Sequence, residues 1–283
     1  MASFTNFATL SYNGGTTNSN IVTGEILEAL TAVKTAVSAN YSARDRITYA
    51  LSLVNTGTAA VTDYTVTDNL GGYTVGANTV YPLAYNTGTV RYYINGVLQT
   101  APTVTAGPPL TVTGLTIPAG GSAVLIYETT ATPVAPLATG SSITNTATIT
   151  GGGLTNPITA QATVETATSA DLTISKALSP TTVTENGQIT YTFVISNTGN
   201  TEATATGNVV VTDTFAPILR NIAVTYNGTA WTEGTNYTYN AATGVFTTLA
   251  GQITVPAATF TQNTDGTFTV TPGTATLVIT GTV

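Results

Sequence analysis

Six residues of this chain repeat in type and spacing. It holds two lysines, Lys34 and Lys176, and no others. Each is followed 13 residues later by Ile-Thr-Tyr (Ile47-Thr48-Tyr49 and Ile189-Thr190-Tyr191). Asn-Thr-Gly lies 21 residues after each (Asn55-Thr56-Gly57 and Asn197-Thr198-Gly199). Val-Thr-Asp comes next, ending at Asp68 and Asp213. A third motif, Ile143-Thr144-Asn145-Thr146-Ala147-Thr148-Ile149, has its counterpart at the start of the chain, in Phe4-Thr5-Asn6-Phe7-Ala8-Thr9-Leu10. In a strand every second residue shares a face. On that spacing Lys34 sits with Leu30, Ala32 and Ala36, and Lys176 with Leu172, Ile174 and Leu178. Asp68 sits with Tyr64, Val66 and Leu70, and Asp213 with Val209, Val211 and Phe215. Asn145 aligns with Ile143, Ala147 and Ile149, and Asn6 with Phe4, Ala8 and Leu10. Each set is expected to turn one Lys, one Asp and one Asn toward an apolar core.

Isolated buried charges are costly, so these groups should meet. Burial lowers a lysine pKa and raises an aspartate pKa. A neutral amine is a nucleophile, and a protonated Asp can polarise the Asn carbonyl and move protons. Attack of the amine on the carboxamide would expel ammonia and leave an amide cross-link, once per site and with no cofactor. The other reading of the same residues is a hydrogen-bonded Lys–Asp ion pair in the core with a structural Asn beside it.

The elements that must position these groups are strands. Thr, Val, Ile and Tyr alternate in short runs such as Ile47–Val54, Thr190–Ile195 and Ala275–Ile279, broken by Asn-Gly, Gly-Gly and Pro. Many short strands with turns between them indicate β-sandwiches. The one helix-compatible stretch, Thr23–Ser38, is rich in β-branched residues and reads as strand. Asn6 and Asn145 are 139 residues apart, Lys34 and Lys176 142, and Asp68 and Asp213 145. The chain is therefore two units of about 140 residues. They are cut so that the last strand or hairpin of the second unit sits at the N-terminus. Asn13-Gly14-Gly15 parallels Gly151-Gly152-Gly153, and a second short strand follows each, near Ile21–Leu27 and Ile158–Glu165.

The expected organisation is an N-terminal donor strand or hairpin over residues 1–28, a first sandwich over 29–168, and a second, incomplete sandwich over 169–283. A sandwich lacking a strand leaves backbone groups unpaired and its core open. A strand from the next copy would complete it by β-augmentation, head to tail. Two other readings remain: a fragment cut mid-repeat from a longer surface protein, and closure within one chain.

The composition excludes much else. Only 7% of the 283 residues are charged, and there is no Cys and no His. Disulfides, thiolate nucleophiles, zinc fingers and Ser-His-Asp triads are thus absent. A net charge of −7 leaves no basic footprint for nucleic acid. No apolar run reaches 18 residues, and the N-terminus has no secretory signal pattern. The signal has been removed, or the protein is released by lysis, as from a sporulating mother cell. Asp63, Asp68 and Asp265 are poor calcium candidates because no Asp-x-Asp-x-Asp-Gly run occurs. Trp231 and the tyrosines read as strand packing before a sugar platform. Asn227-Gly-Thr and Asn236-Tyr-Thr fit a glycosylation pattern that is cheap in so Thr-rich a chain. Gly151–Gly153 reads as a turn.

The Lys/Asp/Asn constellation resembles the isopeptide-forming, Ig-like domains of Gram-positive pilins and adhesins. The motifs Asp171-Leu-Thr-Ile-Ser-Lys176, Ile189-Thr-Tyr191, Ser196-Asn-Thr-Gly199, Val211-Thr-Asp213 and Ile143-Thr-Asn-Thr-Ala-Thr148 are similar to a bacterial surface-repeat domain. The resemblance implies two tandem Ig-like β-sandwiches, an all-β fold and an extracellular location on a cell or spore. By residue type and strand order it assigns Lys34–Asn145 and Lys176–Asn6 as cross-links, with Asp68 and Asp213 as the catalytic acids. Such domains often use Glu. Here Glu128 has no counterpart, since Thr280 stands at its repeat position. The expected protein is a fibre subunit that binds other copies of itself, with no cofactor, metal or nucleic acid. A fragment of a surface adhesin that binds a host ligand or polysaccharide is the alternative.

Overall fold

The chain is all-β, and the computed structural model describes residues 2–26 and 29–283. Among the described residues there is no α-helix and one short 3-10 turn, Ala205–Gly207. None of the helical structure is long and apolar enough to cross a membrane. Contacts divide the chain into two compact units. One takes residues up to Ala135 with Ser142–Glu165, and the other Pro136–Ser141 with Thr166–Val283.

The N-terminal segment carries strands β1 (Ala2–Asn6), β2 (Thr9–Tyr12), β3 (Gly15–Asn18) and β4 (Val22–Ile26). β1 pairs with β4, and β2 with β3 around the Asn13-Gly14 turn, so the segment is one long antiparallel hairpin. Gly14 has φ +126°, which a side chain would resist. The expected second strand near Ile21–Leu27 is β4; Leu27 lies outside the described residues. The strand is broken at Phe7–Ala8, where the Ala8 N–H donates to the Ser19 hydroxyl instead of a ladder carbonyl. The Phe4–Asn6–Ala8–Leu10 alternation is therefore shared between two strands with a register step between them.

In the first unit, β5 (Leu30–Ala36), β6 (Asn40–Tyr41), β7 (Arg46–Asn55) and β8 (Val61–Asp68) begin the sandwich. The Thr23–Ser38 stretch is thus strand in β4 and β5, as its β-branched residues require. One sheet pairs β5 with β7, and β7 with the Ser122–Ala131 strand. The other runs from Leu110–Ile117 through β8 to the Ser142–Gly151 and Ile158–Thr166 hairpin, and ends on β6. Alternate residues of both sheets fill the core: Ile47, Tyr49, Leu51 and Leu53 from one, Tyr64, Val66, Ile143, Ala147 and Ile149 from the other. Each large side chain so buried contributes about 1.5–3 kcal/mol.

The second unit repeats the first sheet with Leu172–Ser179, Gln188–Asn197 and Gly273–Thr282. Its other sheet is reduced: Thr212–Thr214 pairs with Val245–Thr248 on one side only among the described residues. That free edge is where, in the first unit, the Ser142–Gly151 strand pairs with β8. The repeated Asn-Thr-Gly motif is a clasp. Asn55 Nδ2 donates to the Ala59 and Pro118 carbonyls at 2.8 and 3.0 Å, and its Oδ1 accepts from the Gly57 N–H. Asn197 does the same with Thr201, Pro256 and Gly199.

Candidate functional site

In the first unit β5 points Lys34 inward across the sandwich, and β8 points Asp68 to meet it. Lys34 Nζ donates to Asp68 Oδ2 at 2.5 Å, with both side chains essentially out of solvent. The Tyr127 hydroxyl donates to the same oxygen, and the Leu70 N–H donates to Oδ1 at 2.9 Å. Lys34 also lies over the rings of Tyr49 and Tyr127, 4.8 and 5.8 Å from their centroids. Desolvation lowers its pKa to about 8 against the opposing pull of Asp68.

Asn145 completes the group. Asp68 is register partner of Ala147, so Asn145 lies two residues along the adjacent strand on the same face. It is fully buried, and neither its Oδ1 nor its Nδ2 makes a hydrogen bond of normal geometry. The Tyr49 hydroxyl is buried and unpartnered as well. Asn145 is nonetheless close enough to the Tyr49 and Tyr127 hydroxyls to ease their ionisation slightly. Burial and the Asp68 charge outweigh that, and both phenols stay well above their ordinary pKa. Buried polar atoms without partners are rare and call for an explanation. Here three of them surround an amine and a carboxylate.

The second unit presents the same pair in the open. Lys176 Nζ donates to Asp213 Oδ2 at 2.5 Å, but the two side chains are 40% and 19% exposed, against 0% and 1% for Lys34 and Asp68. Lys176 lies over Tyr191, Phe193 and Phe215 at 4.4, 5.4 and 5.5 Å. Its face-mates Ile174 and Leu178 are also exposed. The exposure of Lys176 and Asp213 accords with a second sandwich that lacks a strand over this face. No strand of the second unit covers this face among the described residues, and Asn6 itself is exposed.

The N-terminal hairpin presents apolar side chains to solvent. Its Phe4, Phe7, Leu10, Tyr12, Ile21 and Val22 are all more than half exposed. In register, Asn6 pairs with Val22 and Phe4 with Gly24, as Asn145 pairs with Ala162 and Ile143 with Val164. The Phe4 ring lies where a Gly24 side chain would be. The large–none pair Phe4/Gly24 thus stands in place of the medium–medium pair Ile143/Val164.

Glu128 is removed as an alternative acid. It lies on the opposite face of its strand from Tyr127 and approaches Arg46 at 3.7 Å on the surface. Trp231 stacks on Tyr226 at 4.8 Å and packs against the core. No group of three His, Cys, Asp or Glu that could hold a metal occurs among the described residues. The aromatic members of the site, Tyr49, Tyr127 and Tyr191, escaped the sequence reading. Ile-Thr-Tyr served there only as a repeat marker, although its tyrosine is what the lysine packs on.

No protein-family model matches the chain, and no curated protein matches it. Among solved structures, the major pilin subunit BcpA of Bacillus cereus is similar at 14% identity, over 96% of this chain and 73% of that one, with a TM-score of 0.36. The pilus backbone RrgB of Streptococcus pneumoniae is similar at 12% identity, over 86% of this chain and 55% of that one, with a TM-score of 0.36. A 35 kDa C-terminal fragment of the major pilin GBS80 of Streptococcus agalactiae is similar at 12% identity, over 56% and 67%, with a TM-score of 0.36. These are likenesses of β-architecture, and none specifies the role of a residue here.

Proposed function

We propose that this chain is the structural subunit of an extracellular fibre, assembled head to tail and cross-linked by amide bonds. The observation that carries the reading is a pair of complementary exposures. The second unit leaves Lys176 and Asp213 open beside a free strand edge. The N-terminal hairpin offers Asn6 in the register that Asn145 has in the closed first unit. A second copy's hairpin would add β1 and β2 to the Thr212–Thr214 edge and cover Lys176, Ile174 and Leu178 with Phe4, Asn6 and Val22. Donation of both strands of the hairpin follows from the pairing of β1 with β4.

In each site the lysine passes a proton to the aspartate, and the neutral amine attacks Cγ of the asparagine. The protonated aspartate hydrogen-bonds Oδ1 as charge develops there, then gives its proton to Nδ2. The Nζ–Cγ bond forms, the Cγ–Nδ2 bond breaks, one ammonia leaves, and the surplus Nζ proton returns to the aspartate, leaving a neutral amide. Lys34 and Asn145 would react as the first unit folds. Lys176 would wait until docking takes it and Asp213 out of water.

Denaturing mass spectrometry tests the reading. A ladder of multimers is expected, each lighter by one ammonia, roughly 17 Da, for every bond within and between subunits. Removal of residues 1–26 should leave monomers lighter by a single ammonia. A full chain that runs only as monomer at its unmodified mass overturns the reading.

A further inference from the structure

The two sites share a lysine, an aspartate and a tyrosine under the lysine. Leu51 and Leu70 of the first stand where the second has Phe193 and Phe215, and one further buried position differs in whether it carries a hydroxyl. In the first unit Tyr127 is register partner of Tyr49. In the second, the residue facing Tyr191 from the matching strand is Ile279. Asp68 Oδ2 consequently accepts from both Lys34 and Tyr127, and its Oδ1 from the Leu70 N–H. Asp213 Oδ2 accepts from Lys176 alone, and its Oδ1 from the Thr214 N–H.

We propose that Tyr127 is a positioning residue for the internal cross-link, and that its replacement by Ile279 makes the internal bond close before the bond between subunits. The inference rests on the cross-linking function above.

The argument is geometric. The terminal torsion of an Asp side chain is soft, so one backbone N–H leaves the second carboxylate oxygen free to swing. The Tyr127 hydroxyl ties Oδ2 down on the side where Lys34 and Asn145 converge. Tyr127 is out of solvent, and its ring is held against Tyr49 with centroids 5.8 Å apart. Burial and the neighbouring carboxylate keep the phenol protonated, so it stays a donor throughout. In the second unit an aliphatic side chain fills that place and supplies no hydroxyl. Asp213 is held by the lysine and one N–H, and the incoming Asn6 must meet a less constrained acid. A subunit that has closed its first unit early also no longer offers Lys34 to another copy's asparagine. Chain growth is thereby confined to Lys176.

The experiment is a pulse of cell-free synthesis of the full chain, followed by denaturing mass spectrometry over time. In the wild type the loss of one ammonia in the monomer should be complete before linked dimers appear. Tyr127→Phe keeps the stacked ring and removes one oxygen. It should slow that loss about tenfold or more, the weight of one hydrogen bond to a charged group, while circular dichroism shows a folded protein. Incorporation of 3-fluorotyrosine at position 127, which restores the hydroxyl, should restore the rate. Equal rates for wild type and Tyr127→Phe, or failure of 3-fluorotyrosine to restore the rate, overturns the proposal. So does the appearance of linked dimers whose first units have lost no ammonia, a result that does not depend on any variant folding. Absence of all ammonia loss in the wild type overturns the cross-linking function itself, and this inference with it.

Discussion

Asn145→Ala separates a covalent site from a buried polar cluster by the sign of its effect. Without a cross-link, the substitution removes two buried polar atoms that have no hydrogen-bond partners. Each such atom costs about 1–3 kcal/mol, and the small cavity left behind costs a comparable amount. The net change would then be close to zero or stabilising. With a cross-link, the substitution opens a loop running from residue 34 to residue 145. The chain-entropy treatment gives about 4.7 kcal/mol for a loop of about 100 residues. The Lys34–Asp68 pair survives the substitution, so no orphaned charge adds to the loss. For a unit of this size about 3 °C of melting temperature corresponds to 1 kcal/mol, so the first unit should melt about 15 °C lower. The assay is calorimetry of the wild type and the variant, with denaturing mass spectrometry on the same samples. The variant should lack the internal ammonia loss. A melting temperature within about 2 °C of wild type, or above it, refutes the covalent reading of the first site, since even half the loop term would exceed that.

Asn6→Ala should still give fibres, because the docking strands are unchanged, but boiling detergent should take them apart to monomers. Fibres that resist would place the link elsewhere. Asp213→Ala should slow the link between subunits by about 10²–10⁴-fold, the usual worth of a positioned proton carrier, while docking measured by light scattering persists. Unslowed linking would remove Asp213 from the chemistry. In the Asn145→Ala background, where Lys34 stays a free amine, stability of the first unit should rise between about pH 8 and 10.5. There the unfolded chain holds a proton that the folded chain has already released, so the slope with pH is positive. Denaturant midpoints across that window that stay flat or fall would contradict the burial of a free Lys34.

The all-β character of the chain was legible in its alternation of Thr, Val, Ile and Tyr, and the repeat phase pointed to the hairpin. Lys34, Asp68 and Asn145 meet because each sits at an inward position of its own strand, and period-two spacing reveals that. Lys176 obeys the same rule of direction, and its exposure reflects the strand that the second unit lacks. Inward spacing says which way a side chain points, whereas burial needs a second layer, and the second unit supplies none over that face. The break at Phe7–Ala8 was hidden for a related reason: Ser19 diverts one N–H, and nothing in the spacing of Phe4, Asn6, Ala8 and Leu10 records a partner on another strand. Tyr127 was invisible because its role depends on register with Tyr49. Sequence distance along one copy does not encode that register.

Lys34 lies on the opening strand of the first unit and Asn145 on its closing hairpin. With an amide between them, tension along a fibre would enter at β5, cross at the link and leave through the Ile158–Thr166 strand. The roughly 110 residues between the two would carry no load, and the extension of about 380 Å that their unravelling could release would be locked away. The loop between those two residues would then be a spacer of fixed length, and a pulled fibre could lengthen only through the stretches between residues 6 and 34 and between residues 145 and 176.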